Sequence, residues 1–123
     1  MNELLDTEKN IVTEKWKLSM YKTAEKVKKQ NNLTAVFDAD KVSGPFLVTY
    51  RQVGDRISLK GLGGTKKPSD IFTDEKTDAR ERDYVPVVRK GDNIIYVGGL
   101  RQSSLYCPDS DTKEYLIIEY EKR

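Results

Sequence analysis

The stretch from Gly54 to Phe72 combines the residue types that bind phosphate. It holds four glycines and four cations in nineteen residues, among them the run Gly64-Thr65-Lys66-Lys67. Glycines let backbone amides approach an anion closely, and lysine supplies a compact counter-charge. The stretch could therefore bind the phosphate of a nucleotide during catalysis, or the phosphates of an RNA backbone during docking.

The order of these residues argues against a nucleotide site. A P-loop needs G-x-x-x-x-G-K-[ST] between a strand and a helix, but here Thr65 follows Gly64 and Pro68 follows Lys67. No strand–glycine–helix unit with the dinucleotide pattern G-x-G-x-x-G is present either. ATP binding by this stretch is therefore disfavoured.

RNA docking agrees better with the same residues. Lys66 and Lys67 come just before a predicted helix, where free N–H groups and the helix dipole favour phosphate. Three further cations lie in the same connection: Arg51, Arg56 and Lys60. The alternative is a tight glycine turn whose lysines are merely solvated, and the chemistry of the residues leaves both possibilities open.

Catalytic chemistry finds little support elsewhere in the chain. The sequence has no histidine, so the usual general base near neutral pH is missing and Cys107 has no partner to activate it. The acids within 74–78 could form a catalytic pair, but a helix dipole explains them more simply. Asp38 and Asp40 could hold magnesium, although a capping role for Asp38 is the simpler interpretation. We expect no catalytic residue, metal ligand or cofactor in this chain.

Length and composition indicate one polar globular domain. The chain has 123 residues, of which 37% are hydrophobic and 34% are charged. A single cysteine cannot form an internal disulfide, so a reducing, cytoplasmic setting is expected. No apolar run is long enough for a membrane span, and the first residues lack the apolar segment of a signal peptide.

Charge is separated along the chain although the formal net charge is only +2. Residues 15–29 contain six lysines and one glutamate, and residues 51–67 contain five cations and one aspartate. Residues 70–83 reverse the sign, with six acids and three bases. Such separation creates a local field that the net charge conceals.

The elements that must position these residues are short. Residues 1–14 are polar and weakly patterned, so we predict a flexible tail or linker stub there and a single domain over 15–123. Apolar alternation or clustering predicts about six strands, at 16–20, 34–37, 46–50, 85–88, 94–97 and 114–120. The run Lys90-Gly91-Asp92-Asn93 predicts a hairpin turn.

Two or three short helices complete the prediction. One covers 69–76 with Ser69 as its cap, and another covers 79–84 up to Pro86. Residues 21–30 fit either a helix or a lysine-rich turn between strands. The fold class is accordingly α+β, a single compact layered domain.

Eight short sequence words occur in an order that resembles the carboxy-terminal domain of bacterial tRNA(Ile)-lysidine synthetase. The resemblance covers about residues 34–120, and the order and spacing of the words make it specific. The words are Phe37-Asp-Ala-Asp-Lys41, Gly54-Asp-Arg-Ile57, Gly61-Leu-Gly-Gly-Thr-Lys-Lys67, Ser69-Asp-Ile-Phe72, Asp74-Glu-Lys76, Glu81-Arg-Asp83, Val85-Pro-Val-Val88 and Ile94-Ile-Tyr-Val-Gly98.

The resemblance implies a fold and a function. The fold would be a layered arrangement around a β-sandwich, similar to a domain of the phenylalanyl-tRNA synthetase β subunit. The family's enzyme uses ATP to attach lysine to the wobble cytidine of an isoleucine tRNA with a CAU anticodon. ATP and magnesium belong to an amino-terminal catalytic domain with a Ser-Gly-Gly-x-Asp-Ser loop, which these 123 residues lack. The carboxy-terminal domain would help recognise the tRNA, through backbone contacts to its acceptor stem.

The resemblance also implies which residues contact RNA. Thr65, Lys66 and Lys67 match the family's Gly-Thr-Lys-Lys word. Arg56 and Arg82 match two other words, and Arg101 matches an arginine that usually follows the last glycine turn. Together with the neighbouring cations and glycines, the predicted RNA-binding set is Arg51, Arg56, Lys60, Gly63, Gly64, Thr65, Lys66, Lys67, Arg82 and Arg101. Pro68 departs from the family pattern and is expected to shift the helix start, since proline is preorganised for the first helical position.

Two other function classes are weighed against this one. A stand-alone protein-interaction or scaffold module would keep the fold without binding RNA, and it predicts an exposed apolar patch without a continuous basic face. An autonomous small enzyme is disfavoured, because no nucleophile is paired with a base.

Overall fold

The computed structural model describes residues 1–59 and 63–123. These residues form eleven strands, one α-helix, α1 (Pro68–Asp74), and one turn of 3₁₀ helix (Arg82–Tyr84). The strands are β1 (Asn2–Leu5), β2 (Asn10–Val12), β3 (Trp16–Thr23), β4 (Thr34–Asp38), β5 (Phe46–Thr49), β6 (Ile57–Ser58), β7 (Thr65–Lys66), β8 (Val87–Lys90), β9 (Asn93–Val97), β10 (Arg101–Gln102) and β11 (Tyr115–Lys122).

Two antiparallel sheets pack face to face around the main core. One sheet has the order β1-β5-β8-β9-β10 and the other β2-β3-β11-β4. Alternating residues of both sheets meet in one buried cluster, which includes Trp16 and Phe37 from one sheet and Phe46 and Ile95 from the other. Burial of these large side chains drives the association of the two sheets. The predicted α+β class with a β-sandwich-like core is confirmed.

A third layer covers the other face of the five-stranded sheet. Helix α1 contributes Ile71 and Phe72, and the short hairpin of β6 and β7 contributes Ile57. They pack on Val87 and Val97 of the sheet in a second buried cluster. The cationic stretch of the sequence therefore belongs to this outer layer, held on the sheet by Ile57 and Leu59 within it and by Ile71 and Phe72 just after it.

The four-stranded sheet has a smaller cluster on its own outer face. Val36, Tyr115 and Ile117 are buried there, and Val27 of the lysine-rich segment packs against them. Strand β4 is an edge strand of this sheet, and β10 is an edge strand of the other. The side of the domain where these two edges adjoin carries the segment 102–108.

The first fourteen residues differ from the expected tail. Asn2–Leu5 pairs with β5, where Leu5 lies opposite Phe46, and Asn10–Val12 pairs with β3. Leu5 is fully buried, and Ile11 joins the same core. Strands of four and three residues are too short to show a period, so the sequence pattern missed them. Residues 2–12 therefore belong to the folded domain, and the predicted flexible tail over 1–14 is wrong.

The lysine-rich segment is a connection between strands, as one of the two predicted alternatives states. Strand β3 continues to Thr23 and residues 24–30 contain no helix, because the segment lacks the apolar stripe that would hold a helix on the sheet. The expected helix over 79–84 is reduced to the 3₁₀ turn. The turn after Lys90 is confirmed, with Gly91 in the left-handed region at φ 58°. No helix among the described residues is both long and apolar enough to cross a membrane.

Candidate nucleic-acid interface

A groove of about 510 Å³ lies between the loop 51–56 and the start of α1. We call it the Lys67 groove. Three of the predicted RNA-binding cations line it, namely Arg51, Arg56 and Lys67. Two acids, Asp55 and Asp83, line it as well. The groove therefore brings together cations that are up to sixteen positions apart in the sequence.

A buried ion pair between Arg89 and Asp55 closes the loop that forms one wall. Both side chains are about one-tenth exposed, and the two guanidinium nitrogens donate to the two carboxylate oxygens at 2.6 and 2.7 Å. Arg89 Nε also donates to Thr49 Oγ1 at 2.9 Å, and the amide of Gln52 donates to Asp55 at 2.7 Å. Strand β8 thus anchors a loop that has no regular structure of its own.

The charge on Asp55 is maintained by these contacts. Burial alone would raise the pKa of its carboxyl, but the hydrogen bonds from Arg89 and from the amide of Gln52 outweigh burial. The net result is a pKa below the usual value, so Asp55 stays ionised near neutral pH. Such a bidentate, nearly dry pair fixes the direction of the loop far better than an exposed pair does.

Arg51 is ordered by its neighbours and is not free. Its guanidinium pairs with Asp83, with Nη2 and Oδ1 separated by 2.9 Å, and lies 5.4 Å from the centre of the Phe72 ring. The aspartate is exposed and the arginine side chain is about one-third exposed. An ion pair at this exposure is worth about 0–1 kcal/mol, so a phosphate could displace Asp83.

The hairpin of β6 and β7 carries Arg56 and the glycine turn. Ser58 lies opposite Thr65 in the hairpin, and Arg56 Nη1 donates to Thr65 Oγ1 at 3.2 Å. Gly63 has φ of +67°, and neither Gly63 nor Gly64 has heavy atoms near the place that a Cβ would take. The Gly-Thr part of the motif therefore forms an open, exposed turn. Predicted Lys60 lies outside the described residues.

The structure separates the two lysines that the sequence places side by side. The amine of Lys66 forms an ion pair with Asp74 of α1, and its side chain is only about one-quarter exposed. Lys67 occupies the next position, lines the groove and is exposed. Neighbouring residues of an extended chain point to opposite sides, so the pair does not form one clamp. Involvement of Lys66 in RNA binding stays a prediction.

The start of α1 has fewer free backbone N–H groups for binding an anion than the sequence suggested. The helix begins at Pro68, as expected from the family departure, and Lys67 takes the capping position in place of Ser69. Proline has no N–H, and the amides of Asp70 and Ile71 already bond to the carbonyl of Lys67. The helix is also only seven residues long. Anion binding in this groove must therefore depend on side chains more than on the helix terminus.

The remaining predicted arginines lie elsewhere. Arg82 donates to the carbonyl of Thr77 at 3.0 Å, which ties the 3₁₀ turn to the end of α1. Arg101 is half-buried on β10, away from the residues that line the Lys67 groove. The structure thus brings Arg51, Arg56 and Lys67 together and does not bring Arg82 or Arg101 to them.

Three of the acids with an alternative catalytic or metal role, Asp38, Asp74 and Asp78, have structural partners. Asp38 accepts from the amide of Asp40 at 2.9 Å and from Thr112 Oγ1 at 2.8 Å, which agrees with a capping role. Asp74 pairs with Lys66, and Asp78 pairs with Arg80. Over residues 1–59 and 63–123, no three of the potential metal-binding side chains cluster in a way that could hold an ion.

Sequence reasoning missed two residues that fix the shape of the groove through ion pairs, Arg89 and Asp83. Arg89 directly follows the strand predicted at 85–88, and Asp83 lies within the helix predicted at 79–84. Nothing local in the sequence links Arg89 to Asp55, because the two are 34 positions apart and meet only after β5 and β8 pair. The fold and this groove together define a small layered α+β domain that presents cations at its surface.

Comparison with known proteins identifies the family. Residues 46–118 match the family described as TilS substrate C-terminal domain. The tRNA(Ile)-lysidine synthase of Caldanaerobacter subterraneus subsp. tengcongensis is 45% identical over 86 residues, which are 70% of this chain and 18% of that protein. The tRNA(Ile)-lysidine synthase of Bacillus subtilis is 36% identical over 101 residues, which are 79% of this chain and 21% of that protein.

A solved structure agrees with the sequence comparison. A crystal structure of a TilS C-terminal domain matches with a TM-score of 0.79 and 32% identity, over 98% of this chain and 90% of that one. This chain belongs to the TilS substrate C-terminal domain family. It spans about one-fifth of the length of the curated relatives that it matches, 18% and 21% in the two cases above.

Proposed function

We propose that this chain is the tRNA-binding part of a tRNA(Ile)-lysidine synthetase. Its substrate RNA is an isoleucine tRNA with a CAU anticodon, on whose wobble cytidine the whole enzyme forms lysidine. The chain helps to recognise the tRNA and takes no part in bond formation. The family membership, together with the cationic Lys67 groove, supports this role.

The observation that carries the proposal is the position of Arg56 and Lys67. Both are exposed and line one groove, and within the described part of the chain no carboxylate lies within 4.0 Å of either. Arg51 adds a third cation once a phosphate displaces its exposed partner. Double-stranded RNA is recognised chiefly through its shape and phosphates, which suits such a groove. The acceptor stem of the tRNA is the duplex that we propose to lie there.

The chemistry is proposed to take place in a catalytic domain, either amino-terminal to this one in the same chain or on a separate chain. ATP and magnesium are its cofactors, and none is proposed for this domain. The cytoplasm is the proposed compartment, since the RNA substrate is found there.

Gel-shift titration with the 123-residue chain tests the proposal. The probe is a transcript of isoleucine tRNA with the CAU anticodon, and a tRNA of different identity is the comparison. About four phosphate contacts predict a slope of log affinity against log salt of about −3 to −4. The double substitution Arg56→Ala/Lys67→Ala is expected to weaken binding about tenfold and to flatten the slope by about 2.

A charge-matched control separates a specific contact from a general loss of positive charge. Lys9→Ala/Lys113→Ala removes two exposed lysines that do not line the Lys67 groove. Binding should stay within about twofold of the unsubstituted chain, on the scale expected for surface charges outside a contact. Equal losses in both double variants, or an affinity that does not change with salt, would contradict the proposal.

A protein-interaction module is the second candidate, because of two exposed leucines. Leu4 and Leu47 lie opposite each other on β1 and β5, and they are 59% and 37% exposed. Two leucines expose much less apolar surface than the patches of several hundred Å² that mark protein-binding surfaces. The substitution Leu4→Lys distinguishes the two functions. If the domain binds RNA through its cations, RNA affinity should be unchanged; if it binds a protein through these leucines, that association should be lost.

A further inference from the structure

A second groove, of about 780 Å³, lies between the lysine-rich segment and residues 102–108. We call it the lysine groove. Lys26, Lys28 and Lys29 line one wall, and Val36 of the edge strand β4 forms part of the apolar floor. None of the described residues that line this groove is acidic. The six lysines noted in residues 15–29 are thus partly gathered into one concave surface.

The side chain of Gln102 holds the groove together. Its amide nitrogen donates to the carbonyl of Val36 at 2.5 Å, and its oxygen accepts from the amide of Val36 at 2.9 Å. The same oxygen accepts from Lys29 Nζ at 3.0 Å. Gln102 therefore covers the open backbone of an edge strand and also fixes one lysine amine over it.

The cations of this groove have no acidic partner. Within residues 1–59 and 63–123, none of Lys26, Lys28 and Lys29 has a carboxylate within 4.0 Å. Desolvation lowers the pKa of the Lys29 amine; Cys107 opposes this shift, and the nearby Arg101 adds to it. An ammonium group held against a neutral amide and near another cation gains from a bound anion more than a solvated lysine does.

Direct contacts link the lysine groove to the hairpin that carries the Gly-Thr-Lys-Lys motif. Ser104 lines the lysine groove, and its amide donates to the carbonyl of Ser58 at 2.8 Å. Ser58 is the hairpin partner of Thr65, whose hydroxyl accepts from Arg56. The two grooves are thus linked through the backbone of one short hairpin.

We propose that the lysine groove is a second contact surface for the phosphate backbone of an RNA, continuous with the Lys67 groove across the β6–β7 hairpin. The inference rests on the proposed function and extends it by a surface to which no role has been assigned. An acidic protein segment is the competing ligand. Protein interfaces are depleted in lysine and enriched in aromatic residues at their centre, whereas this groove has three lysines and no aromatic residue in its lining.

The experiment compares two lysine pairs in the 123-residue chain, with the CAU-anticodon tRNA transcript as the probe. Lys26→Ala/Lys28→Ala leaves the Lys29–Gln102 contact in place, and Lys28→Ala/Lys29→Ala removes it. Each is expected to weaken binding three- to tenfold and to flatten the salt slope by about 2, at an unchanged melting temperature. The control is again Lys9→Ala/Lys113→Ala, which removes the same charge elsewhere.

The outcomes distinguish this inference from the proposed function. If Arg56→Ala/Lys67→Ala weakens binding while both lysine-groove variants behave like the control, the inference of a second RNA contact surface is wrong and the proposed function stands. If no variant changes RNA affinity, both are wrong. If poly-L-glutamate binds the chain and the lysine-groove variants abolish only that binding, the groove takes an acidic protein partner and the inference is overturned.

Discussion

The two cationic grooves differ in how their charge is balanced. In and beside the Lys67 groove, carboxylates engage three cations: Asp55 holds Arg89, Asp83 holds Arg51 and Asp74 holds Lys66. In the lysine groove, the described residues supply no carboxylate to any lysine. Ion pairs therefore order the Lys67 groove and neutralise part of its positive charge. In the lysine groove no such pair among the described residues neutralises the lysines, and the hydrogen bonds of the uncharged Gln102 side chain hold the groove together.

This difference shows that a cation count along the sequence does not measure available charge. Residues 51–67 are the predicted RNA-binding stretch because their cations accompany glycines, but two of those cations are paired with acids at positions 83 and 74. An arginine in an ion pair has a fixed geometry, but its partner cancels much of its electrostatic potential. An unpaired lysine keeps its potential and can attract a distant anion. We expect the first groove to set the position of the RNA and the second to add salt-sensitive affinity.

The largest effect is expected from removing the buried arginine of the first groove. Arg89→Ala leaves the Asp55 carboxylate buried without its partner, and breaking a buried pair in this way costs about 3 kcal/mol. Urea denaturation should show this loss in the free energy of unfolding. Arg80→Ala serves as the control, because its pair with Asp78 is exposed and its loss should not change the midpoint. A similar midpoint for both variants would contradict the anchoring role of Arg89.

The same pair predicts a pH dependence of stability. Asp55 has a pKa below its usual value of 3.8 in the folded chain, so its stabilisation is complete above that value. The stabilisation is lost as the pH falls through the lowered folded-state pKa. Denaturation of the unsubstituted chain and of Asp55→Asn between pH 7 and pH 2 should show their stabilities converging below about pH 4. A constant difference down to pH 2 would exclude Asp55 as the titrating group.

Removing an acid from the first groove should make it more like the second. Asp83→Asn frees Arg51 from its exposed partner and takes away one negative charge, so tRNA affinity should rise about two- to threefold at low salt. Glu121→Gln removes an exposed acid that has no ion pair among the described residues, and it is the charge-matched control. An equal gain from both substitutions would mean that only net charge matters.

The smallest effect is expected from the lysine that faces the helix. Lys66→Ala should reduce tRNA affinity by less than about twofold, because Asp74 already neutralises its amine, whereas Lys67→Ala should reduce affinity about three- to fivefold. Gel-shift titrations of the two single variants under identical salt conditions test this difference. Equal losses would show that RNA displaces Asp74 and recruits both lysines.

Local sequence signals predicted a large part of the architecture. The strands at 34–37, 46–50 and 94–97 have clustered β-branched and aromatic residues, and the structure confirms each within about two residues. The hairpin after Lys90 follows from its Gly-Asp turn, and the helix from the run after Pro68. The strands within residues 1–14 were missed, because three- or four-residue strands are defined by their pairing partners and not by their own pattern.

The site was less predictable than the fold. Arg51, Arg56 and Lys67 do share a groove, as their common connection suggested, but Arg82 and Arg101 belong to other parts of the surface. The lysines of residues 26–29 gain a defined place only where edge strands β4 and β10 adjoin through Gln102. Listing the cations of one sequence segment cannot identify a site residue whose contact partner lies on a distant strand.

The sequence by itself determined the α+β class, the family and the presence of a glycine–lysine turn, because these depend on local residue order. Tertiary structure alone decided which cations remain available. Ion pairs and hydrogen bonds form over a few ångströms. Asp55 with Arg89, Asp83 with Arg51 and Gln102 with Lys29 come within that range only when the fold brings distant segments together.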